Sequence, residues 1–206
     1  MALESVILAG VLASSTGWTP AAAASEGGNV EAVENCQELA SAGTHYRVAT
    51  DLAEDDGPCL RITASNVTVE GDGHDVSGGN GSGAIAVVAN GSAVSGVRVR
   101  NVTVADSRAG VRIGATDGPA VGVTAESITA VNNSRAGVIS FASDLTLNDS
   151  VLEGNAVGVE VIEGNVTMDG VVVNDSDGTG LKTAIDVSEV LITDSRFLDN
   201  GGRGLL

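Results

Sequence analysis

Aromatic residues make up only 2% of this 206-residue chain. A core built on stacked rings is excluded, so Val, Ile, Leu and Ala must fill the interior, side chains that stack well in strands. Lysine occurs once, as Lys182, and with nine arginines it faces 27 acidic residues, for a net charge of −17. A surface this negative repels nucleic acid and anionic membrane. Proline is rare at 3 residues, and the 28 glycines follow no Gly-x-y period, which excludes collagen. The apolar run at residues 6–13 is too short to span a bilayer. Cysteine occurs twice, as Cys36 and Cys59, on either side of a turn-rich stretch at 51–58. A disulfide closing that loop contributes about 3 kcal/mol on the loop-entropy model. The alternative is a pair of reduced thiols.

What is present is a repeated phrase: an apolar strand, an Asp or Asn, a few polar residues, Gly, and another apolar strand. It reads Val102-Thr-Val-Ala-Asp106-Ser-Arg-Ala-Gly110-Val-Arg-Ile113 and returns around Gly137, Gly158, Gly180 and Gly204, in steps of 27, 21, 22 and 24 residues. A short period made only of strand signals marks each unit as one coil of a solenoid. Each coil holds three strands, 97–99, 102–104 and 111–113 in the clearest copy. The first of these recurs at 121–123, 145–147, 166–168 and 190–192. Apolar-polar-apolar alternation turns the outer residues inward and the middle one to solvent. About 22–27 residues per coil predicts an all-β, right-handed parallel β-helix with coils about 4.8 Å apart. The glycines are expected at corners needing a sharp turn or positive φ.

Three segments follow. Residues 1–28 read as a degenerate signal peptide and linker, with Glu4 in place of the usual basic start and a small-residue run at 21–24. Residues 29–62 read as an N-terminal cap, with 30–39 either a short helix or an opening strand. Residues 63–206 are the coils. The last repeat stops at Leu206 with no cap, so the chain is expected to be part of a longer solenoid.

The stretch Cys59-Leu-Arg-Ile-Thr-Ala-Ser-Asn-Val-Thr-Val-Glu-Gly-Asp-Gly-His-Asp-Val76 resembles the opening coil of NosD-like right-handed β-helix proteins, common among secreted and surface proteins of haloarchaea. Cys36 and Gly43-Thr-His-Tyr-Arg-Val48 are similar to the cap of the same proteins, and the likeness covers roughly 30–206. The resemblance implies a secreted or cell-surface location and either copper binding or carbohydrate binding and cleavage. The acidic, lysine-poor composition agrees with a salt-loving source, where salt screens self-repulsion; an ordinary acidic secreted protein is the alternative.

The residues test each activity. Copper prefers imidazole, thiolate and thioether, and His45, His74, Met1, Met168, Cys36 and Cys59 do not cluster by spacing. His74 is expected to make a corner hydrogen bond. Glycoside hydrolysis needs two carboxylates at a set separation, and a lyase needs a base and commonly Ca²⁺. The strings Asp55-Asp56 and Arg112-Ile113-Gly114 echo pectin-hydrolase motifs but stand in the wrong order. Asp175 and Asp177 form the one weak Ca²⁺ candidate. Arg98, Arg100, Arg108, Arg112 and Arg135 make a local positive patch suited to an acidic glycan, with Arg98, Arg100, Arg112 and Arg135 the candidate binding residues; the alternative is pairing within the chain with Asp106, Asp117 and Glu126. Scattered aromatics argue against a neutral-sugar stacking platform.

Asp106, Asn133, Asn155, Asp175 and Asn200 are expected to form a structural ladder at the corner ahead of the repeat glycine. Arg112, Ile139, Glu160 and Lys182 are expected to point outward from the third strand, with Glu160 and Lys182 neighbours. Eight Asn-x-Ser/Thr sequons, at Asn66, Asn80, Asn90, Asn101, Asn132, Asn148, Asn165 and Asn174, are glycosylation candidates. The composite expectation is a non-enzymatic extracellular β-helix for adhesion or acidic-carbohydrate contact. The alternative is a pectin-type lyase or hydrolase with catalytic coils beyond residue 206.

Overall fold

The computed structural model describes residues 30–79, 83–89, 91–114, 122–141 and 143–205. The expected leader at 1–28, Asp117, Val121, and the sequons Asn80 and Asn90 lie outside the described residues.

The short Val-rich triplets are too small to bury their apolar face alone, so they stack. The chain winds as a right-handed parallel solenoid of about six turns, all β. The first stack contains Val97–Arg100, Val123–Glu126 and Leu145–Asn148. The second contains Thr103–Ala105, Thr129–Val131 and Val151–Glu153. The third contains Gly83–Val87, Ala109–Ile113 and Ala136–Ser140. Val159–Asp169 and Leu181–Thr193 run through a corner and join the first and third stacks into one 13-stranded sheet; the second is a separate seven-stranded sheet. Register pairs lie between 15 residues apart (Val30↔His45) and 30 apart (Thr68↔Arg98).

The alternation reads as expected. Val97 and Val99 are buried while Arg98 is exposed, and Leu145 and Leu147 are buried on either side of Thr146. Their inward side chains form one continuous aliphatic core from Val33 to Leu181. Each Val, Leu or Ile fully buried there stabilises by about 1.5–3 kcal/mol. In the coil after Arg100 the register differs from the sequence reading: Val123, not Val121, pairs with Val97.

Residues 30–62 continue the solenoid. Val30–Val33 pairs with His45–Val48, and Gln37–Leu39 with Leu60–Ile62, so both lie in the same stacks as the later coils. The segment at 30–39 is therefore two strands. Cys36 and Cys59 form a disulfide, Cα–Cα 4.4 Å, immediately before paired strands. It staples two successive coils to each other.

The repeat glycines serve close approach. Gly110, Gly137, Gly158 and Gly180 do not have positive φ. A Cβ on Gly158 would lie 2.2 Å from Val173 Cγ1 and 2.5 Å from the carbonyl oxygen of Gly180. On Gly180 it would lie 2.7 Å from Phe197 Cδ1. The second stack's inward side chains fill the space above each glycine, so size, and not φ, selects it. Positive φ falls to other glycines, such as Gly43, Gly73 and Gly154, and as often to Asn and Asp, at Asn101, Asp106, Asn132, Asp149, Asp175, Asp194 and Asp199 among others. Their short polar side chains tolerate the left-handed region.

Candidate functional site

Corner chemistry explains most of the polar residues singled out in the sequence. Asn133, Asn155 and Asn200 occupy one ladder column, completed by Ser107 and Ser176. Asn155 Oδ1 accepts from the backbone N–H of Asn133 at 3.0 Å and from Asn133 Nδ2 at 2.9 Å. Asn155 Nδ2 donates to Ala130 O at 2.9 Å, and Asn133 Oδ1 accepts from Ser107 N at 3.2 Å. Lower down, Asn200 Oδ1 accepts from Ser176 N at 3.0 Å. Asp106 and Asp175 stand one position earlier and are exposed, in the left-handed column with Asn132, Gly154 and Asp199. The expected five-residue ladder thus divides into two adjacent columns. The copies differ by one residue at this corner, and only the register separates them.

Asp175 and Asp177 are both exposed, and Asn174 Nδ2 donates to Asp175 Oδ2 at 2.8 Å. Among the described residues no group of three His, Cys, Asp or Glu side chains is placed to hold a metal ion. His74 Nδ1 lies 3.0 Å from Asp51 Oδ1, which also accepts from Asp75 N at 3.1 Å. The backbone donor, and then His74, hold the Asp51 carboxyl below its usual range. An acidic cleft of about 190 Å³ is lined by Glu54, Asp55 and Asp106 beside small residues.

Of the sequons, Asn66, Asn101 and Asn132 are exposed, while Asn148, Asn165 and Asn174 are half-buried. Asn101 donates to Glu70 at 2.7 Å and Asn165 to Asp144 at 2.9 Å.

The four candidate arginines do not converge. Arg98 and Arg100 belong to the first stack, where Arg100 ion-pairs with Glu70. Arg112 and Arg135 lie on the third stack and its leading corner, joined there by Arg108, counted in the patch but not among the candidate binding residues, and by Lys182, which lay outside the patch. Arg112, Ile139, Glu160 and Lys182 form one outward column in successive coils. Arg135 sits above Arg108, linked by its backbone N–H to Arg108 O at 2.8 Å. The spacing of 27 residues between Arg108 and Arg135, the same as between Gly110 and Gly137, was the available signal.

A groove of about 590 Å³ runs along this face, lined by Arg108, Ser134, Arg135, Val157, Glu160 and Lys182. Arg135 Nε donates to Glu160 Oε2 at 3.0 Å, and Lys182 Nζ donates to Glu160 Oε1 at 2.9 Å. Burial opposes ionisation of Glu160, but the Lys182 hydrogen bond and the Arg135 charge outweigh it and lower its pKa. Outside the sheet, Ala109, Ala136, Ile139 and Phe141 form a second apolar cluster, so Ile139 is buried despite pointing outward. The guanidinium carbons of Arg112 and Arg135 lie 5.5 and 5.7 Å from the Phe141 ring centroid. Burial, and next the like charges of Arg108 and Arg135, lower the pKa of Arg112. The groove thus gathers three of the ten cations of a −17 chain around one carboxylate, with Arg112 beside them on the same face. It offers charged forks to an anion from several directions.

A search of curated proteins and of solved structures found no match. A family model described as a right handed beta helix region matches residues 83–206, the part of the chain that carries this groove. With its parallel coils and aliphatic shaft, the chain belongs to the right-handed β-helix family.

Proposed function

We propose that this is a non-enzymatic, secreted or surface-displayed β-helix domain that contacts an acidic carbohydrate or cell-envelope polymer through the third-stack groove. The observation that carries the reading is the gathering of Arg108, Arg112, Arg135 and Lys182 on one face of an otherwise acidic protein. Bidentate guanidinium contacts give such a face affinity for carboxylate or sulfate groups. Coils about 4.8 Å apart present the cations on a rigid ladder, so little ordering cost accompanies binding.

The disulfide supports an oxidising, extracellular location. Among the described residues no helix is long and apolar enough to cross a membrane. The NosD-like resemblance and the net charge support a haloarchaeal source. In that setting the screening length falls to about 3 Å at 1 M salt, so binding rests on direct contact and not on long-range steering. Glycosylation is proposed first at Asn66 and Asn132, exposed corner residues whose side-chain amides donate no hydrogen bond among the described residues.

A glycan array of neutral, uronate-bearing and sulfated sugars tests the reading, run beside reducing-end and unsaturated-product assays on polyuronates. Binding confined to the anionic sugars, without product, is expected. Product formation abolished by substituting Asp55 or Asp106 would replace this reading with the enzyme alternative.

A further inference from the structure

This inference rests on the proposed glycan contact and names its chemical class. We infer that Arg108, Arg112 and Arg135 take a tetrahedral oxyanion, the sulfate ester of a polysaccharide, in preference to a uronate carboxylate. The chain itself already fills the place a ligand carboxylate would take. Glu160, its side chain only 8% exposed, accepts from Arg135 at 3.0 Å and Lys182 at 2.9 Å. A singly charged carboxylate entering there exchanges one like contact for another and gains little.

The free donors lie beside that pair. Among the described residues Arg108 and Arg112 form no ion pair. They stand on adjoining columns of one coil, with Arg135 one coil further, so their forks approach from more than one direction. A carboxylate offers two oxygens in one plane; a sulfate ester presents three outward oxygens, which accept forks approaching from several directions. The charge is also concentrated. The same columns carry Ala86 one coil above Arg112 and Val157 one coil below Arg135. A polyuronate with one carboxylate per ring calls instead for cations strung along the axis.

Phe141 is the positioning residue. Two like-charged guanidiniums rest on its ring at 5.5 and 5.7 Å, which holds them in place before the ligand arrives. Burial and the neighbouring positive charges disfavour the charged form of Arg112, a cost that a bound anion relieves.

The test is titration calorimetry of the full chain against dextran sulfate and polygalacturonate of matched length, at about 0.15 M salt. Dextran sulfate is expected to bind at least about tenfold tighter. Arg108→Ala, at an exposed position, and Arg112→Lys, which keeps the charge but loses the fork, should each cut that preference several-fold. Phe141→Leu should lower the sulfate-to-uronate ratio, with a melting curve showing that it is folded. Arg196→Ala, on the second stack, should change nothing. Equal affinity for the two polymers overturns the sulfate assignment and leaves the glycan contact standing. Binding of neither polymer overturns both. A loss from Arg196→Ala as large as from Arg108→Ala means diffuse charge attraction and overturns the assigned site.

Discussion

At the scale of single residues, two kinds of glycine do different work. Gly43 has φ +72° with nothing within 4 Å of a built Cβ, so only its conformation is needed. Gly158 has no positive φ but no room. Gly43→Asn is therefore expected to change stability by less than about 1 kcal/mol, since Asn tolerates the left-handed region. Gly158→Ala should cost about 1–3 kcal/mol through overpacking against Val173 and the Gly180 carbonyl. Urea unfolding of both variants checks the pair. Equal losses would mean that φ and not space governs the repeat. Asn155 is a comparable case for polar groups: fully buried, it satisfies Asn133 N–H and Ala130 C=O at once. Asn155→Ala strands both, and should cost about 2–4 kcal/mol at about 1–3 kcal/mol for each unsatisfied group. A loss below about 1 kcal/mol in the same assay would show that water replaces the ladder.

Across strands, the third stack carries a charge triad on neighbouring rungs. Arg135 and Lys182 hold Glu160 ionised against its burial. Because its folded pKa lies below the unfolded one, its stabilisation is fully present above the unfolded value of about 4.3. It is lost as pH falls through the folded value. Glu160→Gln should therefore be less stable than the parent at pH 7, and the gap should close below about pH 4. Urea midpoints at pH 7, 5 and 3.5 measure this. A gap independent of pH would assign the loss to packing. The same side chain tempers the groove: without it two more cations are free. Glu160→Gln is expected to bind all polyanions more tightly while discriminating less among them, read from the same calorimetry.

For the whole molecule, two long-range features act on stability. The Cys36–Cys59 bond joins coils across a separation of 23 residues. Its reduction should lower stability by about 3 kcal/mol, chiefly by releasing the unfolded chain. Reductant-dependent melting curves test that, with a Cys36→Ala/Cys59→Ala variant as the unbridged reference. A net charge of −17 spread along a narrow solenoid repels itself. Melting temperature should rise with NaCl and level off above about 1 M, where the screening length is about 3 Å. A flat salt response would remove the charge argument for a high-salt habitat.

Much of the architecture was legible because a solenoid is written locally. Period, strand triplets and buried alternation at 97–99 or 145–147 follow from side chains a few residues apart. Even the Glu160–Lys182 contact followed from counting one coil. The corners were harder. Whether Asp106 or Ser107 stands in the ladder depends on a one-residue offset that hydrophobic pattern does not encode, since both are short polar residues. Segment 30–39 was ambiguous for a related reason: a single rung has no period of its own, and only pairing with His45–Val48 and Leu60–Ile62 makes it two strands.

The sequence by itself determined the coil, its period and its aliphatic lining, because backbone geometry and the pattern of apolar residues act over short range. The outward column from Arg112 to Lys182 was legible in the same way; only the tertiary structure decided which other cations border it. Arg108 and Arg135 flank that column, with Arg135 and Lys182 both donating to Glu160, while Arg100 lies in the first stack and pairs with Glu70. Each corner redirects the chain by an angle set through the full backbone path. Small differences in coil length therefore move a side chain from one face to another, and the groove exists only once all the turns are laid down.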